Sequence, residues 1–512
     1  MFAPPTDEDV SALATRLGFT LGPDDAARYR ELLVDQLGAL DAFAKLRIEE
    51  RAPRLLFPER GPGHRPLDDE DPFNAWLWRC AIGGAGEGLL AGRTVSFKDH
   101  IAVAGIPMSS MSFTLDNFVP DVDASVVTRA LAAGGQVVGK NTLIGVGYLH
   151  DYWEAINPHE PGRMTGGSSS GSAAAVAAGQ VDVAFGGDQH GSIRIPAAYC
   201  GVVGLKPTFG LVSHYGATMS IASGSEPSID HVGPLARTVG EAAAALQAVA
   251  GWDDGLDPRQ GRDVPDAVDV LATLGDGVEG LTVGLLAEGF DEPIEAEVRD
   301  GVRAAVASLE AAGARVVEVS VPEHRVVHQA AFALDADGFR ALRGSTALGA
   351  GARTHYPESL VTAIDKVWRY EADALATYTK TLLLLGELSR ERFHGGVYAK
   401  AHNVRPTFVR AYDRALEQVD VLAMPTCLGV APPSFERVPY AEGWRRAIDV
   451  MRTGFDAMIR NTAPFSYTGH PAVAVPCGTV GRLPISLQLV GRRFDEARLL
   501  RAAHAFEQSR AA

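Results

Sequence analysis

Four serines stand in two glycine-lined turns of one short stretch. "GGSSSGSAAAVAAGQVDVAFGGDQHGSIRIP" runs from Gly166 to Pro196 and carries Ser168, Ser169, Ser170 and Ser192. Glycine removes the Cβ that would keep a main chain from a ligand, and successive N–H groups in such a turn gather negative charge. That suits a phosphate or a developing oxyanion. A phosphate loop would need GxxxxGK[ST], and a dinucleotide site GxGxxG; neither is present. "GSSSG" (167–171) matches the GxSxG nucleophile elbow, but an elbow follows a buried strand, and "NPHEPGRMT" precedes this one. A lone loop serine is ordinarily a turn or capping residue. A reactive serine needs a base, histidine or a neutral lysine. The chain has seven lysines: Lys45, Lys98, Lys140, Lys206, Lys366, Lys380 and Lys400. Lys98 ends the apolar run "TVSFK". Burial at a strand end disfavours the ammonium and makes such a lysine basic near neutral pH.

These residues must be positioned by an α/β scaffold. Apolar spacing (Leu13, Leu17, Leu32, Leu33, Leu37, Leu40) predicts helices between Asp7 and Glu50, and "RAPRLLFPERGPGHRPLDDEDP" reads as a linker or wrapping arm. Together they make residues 1–75 a helical N-terminal extension and linker, with residues 76–512 as the main α/β domain. From Gly92 strands and helices alternate. "GRTVSFK", "QVVGK", "VDVAFGG", "LTVGLLAEG", "RVVEVSV", "VDVLAMPT" and "PISLQLVGR" are the predicted strands. Asp123 is predicted to cap the helix "ASVVTRALAAG", with "SAAAVAAG" and "DEARLLRAAHAFE" as further helices. The pattern predicts α/β: a large mixed central sheet covered by helices on both faces. Between about 322 and 418 helical spacing takes over, a candidate cap over a pocket.

Composition narrows the function classes. The 512 residues carry a formal net charge of −16, which argues against nucleic-acid binding. Cys80, Cys200, Cys427 and Cys477 lie far apart without CxxC, as reduced thiols in a cytoplasmic protein would. No uncharged apolar run reaches the ~18 residues of a membrane span, and "MFAPPTDEDV" lacks the apolar core of a signal peptide. His150, His159, His190, His214 and His231 cluster in sequence without HxH or HExxH spacing, so no metal and no cofactor are expected.

The long block "GGSSSGSAAAVAAG…GGDQHGSIRIPAAYCGVVGLKPTFG" resembles the amidase signature family. "SFKDHIAVAGIPM", "DHVGPLART" and "TGHPAVAVPCG…LPISLQLVGRRFDEARLL" match its flanking blocks in order. "DQ" before the turn looks most like the broad-range subgroup that cleaves organic amides. The resemblance implies a Ser–cisSer–Lys triad: Ser192 as nucleophile, Ser168 as bridge, Lys98 as base. It implies an oxyanion hole from the N–H groups of Gln189, His190, Gly191 and Ser192. Ser170 is expected to support Lys98 by a hydrogen bond, Asp188 to fix the oxyanion turn, and Arg194 to meet a carboxylate. Gly167, His190, Tyr148 and Trp153 are the expected substrate contacts; Tyr152, Phe332 and Phe339 join the aromatic candidates. The substrate is a small-molecule amide. The alternatives are an amidotransferase subunit releasing ammonia for a partner, and an esterase or carbamate (urethane) hydrolase; a homodimer stays open. Two positions depart from the family pattern: His100, where most members have Asn, and His190, where most have Gly. His190 is expected to reach the pocket rim and to select substrates, with Lys98 already filling the role of base.

Overall fold

A computed structural model of the chain describes residues 3–48, 51–109, 115, 118–143, 155–218, 226–344, 353–370, 373, 375, 377–434 and 455–511. The chain divides into two units, Met1–Ala52 and Pro53–Ala512. In the first, α1 (Asp7–Arg16) and α2 (Pro23–Ala44) form where the leucine spacing predicts helices. Thr6 and Asp9 close a capping box at the start of α1, satisfying N–H groups the helix itself leaves open.

Among the described residues the second unit is built on a sheet of eleven strands: β1 (Trp76–Ile82), β2 (Thr94–Lys98), β3 (Gln136–Asn141), β4 (Val183–Asp188), β5 (Val203–Lys206), β6 (His231–Ala236), β7 (Thr282–Leu286), β8 (Arg315–Val319), β9 (Val421–Pro425), β10 (Ala472–Val480) and β11 (Leu483–Val490). Their order is β1-β3-β2-β4-β6-β5-β10-β11-β9-β7-β8. β2 pairs in parallel with β3 and β4, and β7 with β8 and β9; the other neighbours are antiparallel. The sheet is mixed and the fold α/β, as expected. β1, β5, β6 and β10 were not among the predicted strands. β5 and β6 are buried at every residue and show no alternation, and prolines interrupt β6 (Pro234) and β10 (Pro476).

The helices are α3 (Ser125–Ala132), α4 (Ser170–Ala177), α5 (Arg194–Cys200), α6 (Val239–Val249), α7 (Ala296–Ala311), α8 (His324–Gly344), α9 (Glu358–Tyr370), α10 (Thr377–Phe393), α11 (Gly396–Gln418), α12 (Phe455–Ile459), α13 (Ala463–Thr468) and α14 (Glu496–Ala511). Between Pro322 and Gln418 the described elements, α8 to α11, are all helices. Asp123 does not cap α3: the N-cap is Ala124, without a side-chain bond. The Asp123 carboxylate instead takes Arg60 of the arm through both oxygens, at 2.7 and 2.6 Å, and the Ala104 N–H at 2.9 Å. A buried guanidinium fork outcompetes a cap because it satisfies both oxygens at once.

The register sets the site. β2 and β4 run parallel, with Val95 opposite Val183 and Phe97 opposite Phe185. Their carboxyl ends therefore emerge side by side, the place where α/β sheets build sites. Lys98 is the last residue of β2, and Asp188 the last of β4. α4 packs into this region because Ser, Gly, Ala and Val are small enough to lie close on the sheet. A Cβ on Gly171 of α4 would run into the main chain of Ala75 and the Thr142 side chain.

Candidate active site

Lys98 is fully buried, and its Nζ donates to Ser168 Oγ at 2.6 Å. Burial lowers the ammonium pKa to about 7, against an opposing pull from the Asp230 and Asp188 carboxylates. Ser168 follows a cis peptide bond from Gly167 and lies just before α4. The next residue, Ser169, donates its N–H to the Ser192 carbonyl at 3.1 Å. That bond brings the two serine turns together. Ser192 lies half-buried in the turn between β4 and α5. Three residues far apart in the sequence thus converge at the ends of β2 and β4.

Asp188 organises the second turn. It is fully buried and accepts Gly191 N–H at 2.8 Å, Ile193 N–H at 3.1 Å, and the Ser466 hydroxyl at 2.9 Å. Arg194 grips the same carboxylate through Nε and Nη2, at 3.0 and 2.9 Å. Burial alone would push this carboxyl up; the Arg194 charge and its hydrogen bonds outweigh that and hold it well below the usual carboxylate range. Arg194 also donates to Gln488 Oε1 at 2.8 Å and to Ser466 Oγ at 2.9 Å, so its role is structural. Gly191 takes φ +127, and a Cβ there would collide with Thr462. Thr462 in turn donates its hydroxyl to the His190 carbonyl.

Several expectations are corrected. The Gly191 N–H is spent on Asp188, so it faces away from an oxyanion. The Ser170 hydroxyl is buried without a hydrogen-bond partner among the described residues, and it makes no bond to Lys98, because the Lys98 ammonium is turned to Ser168. The His190 ring turns to Asp335 on α8, with Nδ1 3.3 Å from Oδ2. Tyr148, Tyr152, Trp153 and His150 lie outside the described residues, as does the side chain of Phe339. Phe332 packs in a cluster with Leu360 and Ile364.

Three more of the clustered histidines find protein partners, whereas His100 is buried with neither ring nitrogen hydrogen-bonded among the described residues. His214 Nε2 lies 2.6 Å from Asp230, His231 Nδ1 2.9 Å from the Ile229 carbonyl, and His159 Nε2 2.9 Å from the Cys200 carbonyl. Among the described residues no group of three or more His, Cys, Asp or Glu is placed to hold a metal ion, and no helix is long and apolar enough to cross a membrane. None of the four cysteines, all among the described residues, forms a disulfide. Sequence reasoning missed Asp230, which takes both the Gln189 side chain and His214. It also missed Thr462, Ser466, Gln488 and Asp335. Asp230 and Gln488 lay inside quoted blocks, "DHVGPLART" and "LPISLQLVGRR"; the other three carry no local pattern.

Known proteins share this arrangement of chain. A family model described as Amidase matches residues 78–500. An enantioselective amidase of Rhodococcus rhodochrous is 38% identical over 99% of this chain and 96% of its own. A glutamyl-tRNA(Gln) amidotransferase subunit of Synechococcus sp. is 37% identical over 82% of this chain and 84% of its own. The crystal structure of the native peptide amidase from Stenotrophomonas maltophilia superposes with a TM-score of 0.63, at 31% identity, over 83% of this chain and 84% of that one. The chain belongs to the amidase family and is an amide-hydrolysing enzyme with the amidase signature fold.

Proposed function

We propose that this enzyme cleaves the C–N bond of small organic amides through an acyl-serine intermediate, with Ser192 as nucleophile, Ser168 as relay and Lys98 as base. The observation that carries the reading is the 2.6 Å bond from Lys98 Nζ to Ser168 Oγ in a fully buried setting. With its pKa brought to about 7, Lys98 has a large neutral fraction at physiological pH. Neutral Lys98 draws the Ser168 proton, and Ser168 draws the proton of Ser192 Oγ. Ser192 Oγ bonds to the carbonyl carbon. The main-chain N–H groups of Gln189, His190 and Ser192 receive the oxyanion, each strong donor worth about 3 kcal/mol. The C–N bond breaks as the relay returns its proton to the leaving amine. Water, deprotonated through the same relay, then releases the acid and restores Ser192.

The helices α8 to α11 are proposed to wall the substrate pocket, with Gly167, Tyr148 and Trp153 as contacts, and no metal or cofactor takes part. A second reading, an amidotransferase component that releases ammonia to a partner, draws on the Synechococcus relative. That relative matches 82% of this chain against 99% for the Rhodococcus amidase, which favours the stand-alone hydrolase. The test is turnover by the purified chain alone on a panel of amides, reading released ammonia or amine with and without EDTA. Steady EDTA-insensitive release supports the proposal. Release only after a partner or glutamine-dependent acceptor is supplied favours the second reading.

A further inference from the structure

The His190 ring is held from one side. Nδ1 faces Asp335 Oδ2 at 3.3 Å, while Nε2 is buried and has no hydrogen-bond partner among the described residues. The other Asp335 oxygen, Oδ1, accepts the Glu226 N–H at 3.2 Å. Both residues are buried, at 9% and 2% exposure. A carboxylate can only accept, so the proton between the pair belongs to Nδ1, and in the tautomer that carries this one proton Nε2 is a lone pair. A buried acceptor two residues before the nucleophile, left open by the protein, calls for a donor from elsewhere.

We propose that Asp335 is a positioning residue that fixes His190 with Nε2 as acceptor for an N–H of the substrate, so that the pair selects carboxamides over esters of the same acyl group. The proposal rests on the acyl-serine reading of Ser192. A carboxamide bearing at least one N–H satisfies Nε2. An ester brings only an oxygen lone pair to the same place, leaving two acceptors facing each other; sites built around a substrate N–H reject analogues that lack it. His190 exchanges no proton in this scheme, since Lys98 and Ser168 move it. Burial pushes the Asp335 carboxyl up to about 6; the His190 ring and the Glu226 N–H pull it down, and the Glu226 and Asp230 carboxylates add to the rise. Assays at pH 8 therefore meet it ionised.

The geometry supplies an unusually sharp variant. In Asp335→Asn the side-chain oxygen must stay on the Glu226 N–H, because the NH2 group cannot accept. The NH2 then faces His190 Nδ1, which must become the acceptor, and the ring proton moves to Nε2. The acceptor becomes a donor with almost no change in shape. The measurement is the kcat/KM ratio for an amide and an ester with one acyl group, at pH 8. We expect the amide-to-ester ratio to fall at least about tenfold in Asp335→Asn. His190→Gly should lower it in the same direction, which keeps the test open if the first variant does not fold. An unchanged ratio in the folded variants, or equal loss on both substrates, overturns the proposal. Ser192→Ala run beside them separates the two readings. If it abolishes both activities while the ratio stays fixed in the other variants, only the Asp335–His190 inference falls; if it spares both activities, the acyl-serine reading falls.

Discussion

At the scale of single residues, the account turns on a lysine that must lose its proton. Lys98 sits at about 7 because burial penalises its ammonium. The base is active only when neutral, so kcat/KM should rise from acid pH, bend near pH 7, and level off above it. A pH–rate profile on an uncharged amide checks this; a rate that falls as pH climbs from 5 to 8 contradicts it. Ser192→Ala should lower kcat by about 10³-fold or more. Lys98→Ala and Ser168→Ala should each be severely impaired, and the double variant should be little worse than either, because the three act as one unit. Initial rates across the four variants read this directly. Lys98, Ser168 and Ser192, the residues of the proposed relay, could be singled out in the sequence because they stand in long, ordered motif blocks. Asp335 was not: its role depends on a helix returning to the turn from far along the chain, and nothing local in "ALDADGF" signals it.

At the scale of elements, the turn between β4 and α5 is held by a buried ion pair. Removing one partner of such a pair leaves an uncompensated charge, at a cost of about 3–5 kcal/mol. Arg194→Met should therefore lower the thermal midpoint strongly and slow fluorophosphonate labelling of Ser192, since Asp188 also holds the Gly191 and Ile193 N–H groups. Differential scanning calorimetry beside the labelling rate tests this; a stable variant with normal labelling would show that the pair does not organise the turn. Strands that alternate or end on charged residues, such as β2, were readable in the sequence. β5 spans only four residues, and the prolines in β6 and β10 spoke against strands. For the proposed oxyanion donors, only the structure shows that the Gly191 N–H is already spent on Asp188.

At the scale of the whole molecule, α/β class and a mixed sheet followed from alternating patterns, but the strand order did not. β10 joins β5 to β11, and β9 joins β11 to β7, pairings no linear pattern announces. That order matters for chemistry because Gln488 on β11 reaches Arg194, and so steadies the turn from across the sheet. The measurement that tests the central claim most directly is acid-quench mass spectrometry of the wild-type chain during turnover of a slow amide. The account predicts the acyl group's mass on the peptide carrying Ser192, appearing within the first turnover and absent from Ser192→Ala. Turnover with no acylated peptide, or with the acyl group on another residue, would contradict it.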